Sequence, residues 1–349
     1  MPVTRAFLSL AASLPIALGG CSADPVAEIV PAGDLYPPGL EAAGPTGSRD
    51  IELRFDELVE PVAESLGIEP GLPFQARSAG LTVGLSLGEA MEPGLDYRLA
   101  GEVEDRSGNR TRFLVEFTGW NARPAELRLS EIQTAKNSSK TKPRRDFVEL
   151  LCEKAGNIGG LELEWASAVK SARYRFPGCE AARGDYIVVH LAPEGIEGEM
   201  DETGASLSLS AGIDAGPKAR DLWCGLQPLP DESGLVVLRQ RPGGEAIDGL
   251  LYSPAEKTGA LGQGELGTLA AEMVLTGCWT ASGEIPSWED SFRWKPSSAR
   301  SICRADGGAT GALAWYLTDA GMQSPGERNL PPSPEAAKGI KKPARKRSG

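Results

Sequence analysis

Apolar residues recur along much of this chain at every second position, in short runs broken by glycine and proline. The stretch 49–55, RDIELRF, places Ile51, Leu53 and Phe55 on one face and charged residues on the other, the pattern of a half-buried strand. LTVGLSL (81–87) alternates likewise, and 92–117 predicts two strands around a turn at Asp105–Asn109. A short linker with Pro124 lies at 121–125. Beyond it, strands are predicted at 127–133 (LRLSEIQ), 145–151 (RDFVELL) and 186–191, with a hairpin turning at Pro242–Gly244. A long insertion at about 253–295 interrupts this series, and within it 266–275 is the one place where a short helix is expected. The fold class that follows is all-β: two tandem sandwiches, the second larger and carrying the insertion.

The first 25 residues read differently. Arg5 supplies a positive start, and Ala6 to Leu18 form an apolar run too short for a lasting membrane helix. Leu18-Gly19-Gly20 before Cys21 resembles the lipobox of bacterial lipoproteins. That resemblance implies cleavage before Cys21, acylation of Cys21 (palmitate among the acyl chains) and localisation in the cell envelope, at the outer membrane or cell surface. The expected organisation is a signal peptide at 1–20, a tether at 21–30, a first sandwich at 31–120, a second at 121–330 and a basic tail at 331–349.

Two further resemblances cover the body of the chain. IELRFDELVEP, MEPGLDYRL and DRSGN are similar to segments of bacterial Ig-like domains found in surface-layer and lipoprotein chains. Across 121–330, SEI, then DFVEL, LEW at 163–165 preceded by Leu161, FP followed by GDYIVV, a WY pair and the closing SPGERN resemble, in that order, a lamin-tail domain. The lamin-tail resemblance implies an Ig-like sandwich with a structural or interaction role. The chain departs from the family at Cys152 and Glu153, where a polar turn is usual, and in the insertion.

Composition narrows the chemistry. The net charge is −12 although the tail holds Lys338, Lys341, Lys342, Arg345, Lys346 and Arg347 against Glu335, so the body is more acidic than the total. Such a body carries no specific nucleic-acid signal. Cys152, Cys179, Cys224, Cys278 and Cys303 fit no metal spacing; in an exported protein, disulfides Cys152–Cys179 and Cys278–Cys303 are the expected pairs. GLSLG (84–88) matches a hydrolase elbow but lies in an alternating strand, and His190 is the lone histidine of the chain. GQGELG (262–267) matches a dinucleotide loop but follows a polar turn-rich stretch. No catalytic residue, cofactor or metal is therefore expected.

The basic loop with Lys136, Lys140, Lys142, Arg144 and Arg145 is the candidate contact for anionic envelope polymers, another protein or lipid headgroups, beside the lipid anchor itself. A charged loop protecting a strand edge is the competing account. Clustered Glu194, Glu197, Glu199, Asp201 and Glu202 lack calcium-loop spacing. The expected function is a non-enzymatic, lipid-anchored envelope protein that tethers or presents a ligand. The alternatives are a calcium- or carbohydrate-binding adhesin, or an accessory or remnant of an exported hydrolase.

Overall fold

A computed structural model describes residues 35–135, 144–307 and 309–333. Cys21, Lys136, Lys140, Lys142 and the basic tail beyond Ser333 lie outside the described residues. The described chain is almost entirely β-structure, arranged as two sandwiches in tandem.

In the first sandwich, one sheet runs in the spatial order Leu40–Pro45, Asp50–Phe55, Thr82–Leu87, Phe74–Ala79, with antiparallel neighbours. The facing sheet centres on Asp96–Glu104, paired with Arg110–Thr118, Gly67–Glu69 and Glu60–Pro61. Strand alternation is strict where the sequence alternates: Ile51, Leu53 and Phe55 are buried and their neighbours exposed. They meet Val83, Leu85, Tyr97, Leu99, Val103 and Phe113 in one core. Asp105 forms the predicted turn, its Oδ1 accepting from the amides of Ser107 and Asn109 at 2.7 and 2.8 Å.

The second sandwich pairs a six-stranded sheet with a five-stranded one. The six-stranded sheet runs Ala219–Trp223, Tyr186–His190, Phe147–Lys154, Glu126–Gln133, Ile302–Arg304, Trp315–Leu317. The five-stranded sheet runs Ser171–Arg175, Glu162–Ala166, Gly234–Arg239, Ala246–Pro254, Phe292–Trp294. Between them lies the larger core, with Leu129, Val148, Leu150, Leu163, Trp165, Val236, Leu250 and Tyr252. The insertion folds back onto this body. Its helix, Glu265–Leu275, buries Leu266, Leu269, Ala270 and Met273 against the strands Gly234–Arg239 and Ala246–Pro254.

The sandwiches meet in a tight junction. The turn at Pro93–Gly94 sits directly on the backbones of Gly159, Gly160 and Gly178, and a Cβ at Gly159 would come within 2.4 Å of Pro93 O. Asn121 Nδ2 donates to the carbonyls of Asn157 and Gly159, each at 2.8 Å. Ion pairs Arg175–Asp96 and Arg123–Glu180 flank the contact.

Candidate functional site

The most elaborate polar arrangement lies on the outer face of the six-stranded sheet. Register between Phe147–Lys154 and Glu126–Gln133 shifts between Glu149 and Leu150, so that Glu149 faces Glu131 while Leu150 faces Leu129. The extra residue, Ser130, is a β-bulge, and it turns Glu131 away from the core side where Leu127 and Leu129 lie. Two glutamates thus stand side by side, both with no solvent exposure.

They hold down the chain's C-terminal segment. Glu131 accepts from Ser301 Oγ, from the Ser324 amide at 3.1 Å and from Ser324 Oγ at 3.0 Å. Glu149 accepts from the Gly326 amide at 2.6 Å. Asn329 Nδ2 donates to Ser130 O and Oγ, and Tyr316 Oη to the carbonyl of Leu330. SEI, DFVEL and SPGERN, nearly two hundred residues apart in sequence, therefore close one strap over one sheet. Gly326, at φ 78°, passes so near Ala219 that a side chain there would press on it at 3.1 Å.

Burial pushes the Glu149 carboxyl well above the ordinary carboxylate range, and the neighbouring Glu131 raises it further. Burial raises Glu131 as well, opposed by its bonds from Ser301 and Ser324. A carboxyl whose folded pKa exceeds its unfolded one stabilises the fold fully below the unfolded pKa and loses that contribution as pH rises through the folded pKa. Glu149→Gln is accordingly expected to flatten the fall in melting temperature between about pH 5 and about pH 8, and to leave the variant the more stable form at the upper end. Melting curves across that range check it; an unchanged slope refutes it.

The basic and acidic loops, distinct in sequence, meet in space. Arg144 donates to Asp214 at 3.0 Å and Arg145 to Glu194 at 2.5 Å, so both described arginines of the basic loop are held by carboxylates. Both side chains stay partly exposed while they make these pairs. Asp214 was not foreseen: it is the one described non-glycine residue at positive φ (66°). The acidic loop spends its carboxylates on backbone. Glu199 accepts from the amides of Glu194, Gly195 and Ile196, Glu202 from Leu209, Ser210 and Asp221, and Asp201 from Trp223. Among the described residues no three His, Cys, Asp or Glu side chains are placed to share a metal ion. Beneath this loop, His190 Nε2 lies 2.8 Å from Asp221 Oδ1, and its ring stacks on Trp223 at 4.1 Å. Both His190 and Asp221 are about 1 % exposed, which leaves a substrate no approach.

The expected disulfides are overturned: Cys152, Cys179, Cys224, Cys278 and Cys303 are all free thiols. Cys303 pairs in register with Glu131 on the strap side of its sheet, whereas Cys278 packs against the main core, so the sheet separates them. Cys152 and Cys179 share the core, but Cys152 Sγ turns to the carbonyl of Lys154 at 3.2 Å. Burial raises the thiols of Cys152, Cys179, Cys224 and Cys278 to about 11, which keeps them protonated and unreactive at neutral pH. Ser86 lies in the strand Thr82–Leu87, paired with Asp50 and Gln75, with no elbow. Gly264 precedes the insertion helix, which lies between the parallel neighbours Ala246–Pro254 and Phe292–Trp294, but the turn-rich stretch 255–264 separates the helix from the strand before it, so no tight strand-to-helix loop forms.

These features define an all-β protein whose second domain is a sandwich closed by a carboxylate-held strap. Residues 125–330 match the family TP_1001_2nd, described as a protein second domain, and the chain belongs to that family. An uncharacterised protein of Treponema pallidum (strain Nichols) is 29 % identical over 157 residues, which cover 44 % of this chain and 38 % of that protein. The chain thus spans well under half of that relative's length. Among solved structures, the N-terminal part of the bacterial S-layer protein SbsC aligns at 19 % identity over 44 % of this chain and 40 % of its own, with a TM-score of 0.23. A DUF4876 family protein from Bacteroides thetaiotaomicron aligns at 10 % identity over 55 % and 74 %, with a TM-score of 0.24. At such TM-scores the superpositions define no common fold.

Proposed function

We propose that this protein is a non-enzymatic, lipid-anchored component of the cell envelope, with Cys21 as the point of attachment and the two sandwiches as a stiff body that presents the second domain. The observation that carries this reading is LGGC at 18–21, placed after a charged start and an apolar run. Tight seating of Pro93–Gly94 on Gly159, Gly160 and Gly178 supports the stiff body. Among the described residues no helix is long and apolar enough to cross a membrane, so attachment through these residues is not by a spanning helix. The convergence of SEI, DFVEL and SPGERN on one strap supports a lamin-tail-type sandwich as the presented module. That module acts by binding or tethering, and not by catalysis: His190 is sealed and Ser86 lies mid-strand.

Feeding cells an alkyne-tagged palmitate and fractionating them tests the anchor. Wild type is expected to carry the tag and sediment with membranes; Cys21→Ser is expected to lose the tag and appear in the soluble fraction. An untagged wild type, or a Cys21→Ser protein that stays with the membranes, overturns the reading.

A further inference from the structure

Register lays one row of side chains across the outer face of the six-stranded sheet: Tyr316, Cys303, Glu131, Glu149, Val188 and Asp221. An outer face ordinarily meets water. Here Cys303, Glu131, Glu149, Val188 and Asp221 have no exposure, because the strap and the loop before Ala219–Trp223 roof them. Donors are scarce under that roof. Asp221 accepts from the Gly216 amide at 2.9 Å and faces His190 Nε2, while Glu131 takes the bonds from Ser301 and Ser324. Glu149 has less. The Gly326 amide serves its Oε2 and the Ser130 hydroxyl lies nearby, but Oε1 is buried without a well-formed hydrogen bond. Asp214, near enough to Glu131 for its charge to act there, likewise keeps Oδ2 buried and unpartnered.

Among the described residues no cation pairs with either glutamate. Lys218 faces Glu327, Arg328 faces Asp306, Arg128 faces Glu153 and Arg144 faces Asp214. Tyr186, Cys303 and Tyr316, the other titratable neighbours, are raised by their own burial and stay neutral at ordinary pH. Directly opposed residues of a ladder hold their Cβ atoms about 4.5–5.5 Å apart, a spacing at which two buried negative charges repel strongly. One proton relieves both defects. It cancels a charge, and it turns an acceptor-only carboxylate into a donor. Burial raises Glu149, Glu131 and Asp214 alike, in keeping with such a proton.

We propose that the strap is a proton-operated latch: closing Ser324–Asn329 over Glu131 and Glu149 takes up a proton from solvent, and losing that proton opens the strap as pH rises. The latch does not depend on the anchor and stands or falls separately from it. In the open strap the two carboxyls meet water and titrate in the ordinary range, whereas in the closed one they hold the proton to higher pH. Closure is therefore fully favoured below the ordinary carboxyl range, weakens by about one decade per pH unit for one proton above it, and loses that contribution as pH passes the closed-state value. Opening has a structural consequence. Gly326 lies against Ala219, which belongs to the apolar cluster of Phe147 and Val188, so an open strap withdraws the cover from an apolar patch.

The test is amide hydrogen exchange of the full chain between about pH 5 and about pH 8, with each rate corrected for the intrinsic effect of pH. Protection of the Ser324 and Gly326 amides is expected to fall about tenfold per pH unit, and to stay below that of Val148 and Leu150 in the sheet beneath. Glu149→Gln keeps an acceptor for Gly326 but cannot lose a proton, and is expected to remove most of that dependence. Strap protection that ignores pH in wild type overturns the proposal. So does a strap that exchanges only together with Val148 and Leu150, or a folded Glu149→Gln with the wild-type slope. Should that variant unfold, the carboxyl carbon resonance of Glu149 in wild type decides: it must titrate in the window where strap protection falls, and a carboxyl ionised throughout that window overturns the latch.

Discussion

Glu131→Ala is expected to lower the melting temperature of the second sandwich by about 4–8 °C and to loosen the strap at Ser324–Asn329. The estimate follows from what remains behind. With the carboxyl gone, the Ser324 amide loses its acceptor, while Ser324 Oγ still has Asn329 Oδ1 at 3.2 Å and Ser301 Oγ still has Thr318 Oγ1 at 3.3 Å. One stranded donor costs about 2 kcal/mol. At about 2–4 °C per kcal/mol for a domain of this size, that gives the quoted shift. Removing Glu131 also relieves Glu149 of a neighbouring negative charge, which acts in the opposite direction and trims the loss. Hydrogen exchange discriminates: the amides of Ser324 and Gly326 are expected to exchange together and faster than those of the sheet below. If they exchange at wild-type rates, Glu131 does not hold the strap.

The same residue shows how far the sequence could be read. Alternation placed most strands correctly, because their apolar residues face one core at period two. Counted that way from Leu127 and Leu129, Glu131 belongs inside the core. The bulge at Ser130 adds one residue and moves it to the opposite face, and no local composition announces a bulge of this kind. DFVEL and SPGERN were visible as motifs, yet their meeting point depends on that single inserted residue. The ion pairs of Arg144 and Arg145 were hidden for a different reason. Their partners lie 70 and 49 residues away, and a charged loop looks alike in sequence whether it faces solvent or another loop. Cysteine spacing likewise says nothing about which side of a sheet a thiol occupies, which is why Cys278 and Cys303 were expected to pair.

Gly159→Ala is expected to uncouple the two sandwiches. The new Cβ would stand 2.4 Å from Pro93 O and 2.8 Å from Gly178 Cα, both backbone atoms that no rotamer change can move aside. Something larger must give, and the Pro93–Gly94 turn is the less encumbered side: it belongs to an exposed connection, whereas Gly159 is tied by its amide to Asn157 Oδ1 at 2.7 Å. Withdrawal of the turn stretches the two bonds from Asn121 Nδ2 and the Arg175–Asp96 pair, so overpacking of about 1–3 kcal/mol falls on the junction and not on either core. Thermal unfolding should then separate into two transitions, and protease should cut the linker around Asn121–Arg123 faster than in wild type. Gly225→Ala, where a Cβ would meet nothing within 4 Å, provides the control for a glycine change in the same domain. A single transition with wild-type protease resistance in Gly159→Ala would mean the glycine contact does not couple the domains. On the proposal that Cys21 holds the chain at one end, each degree of freedom removed between the sandwiches fixes the direction in which the strap faces away from that point.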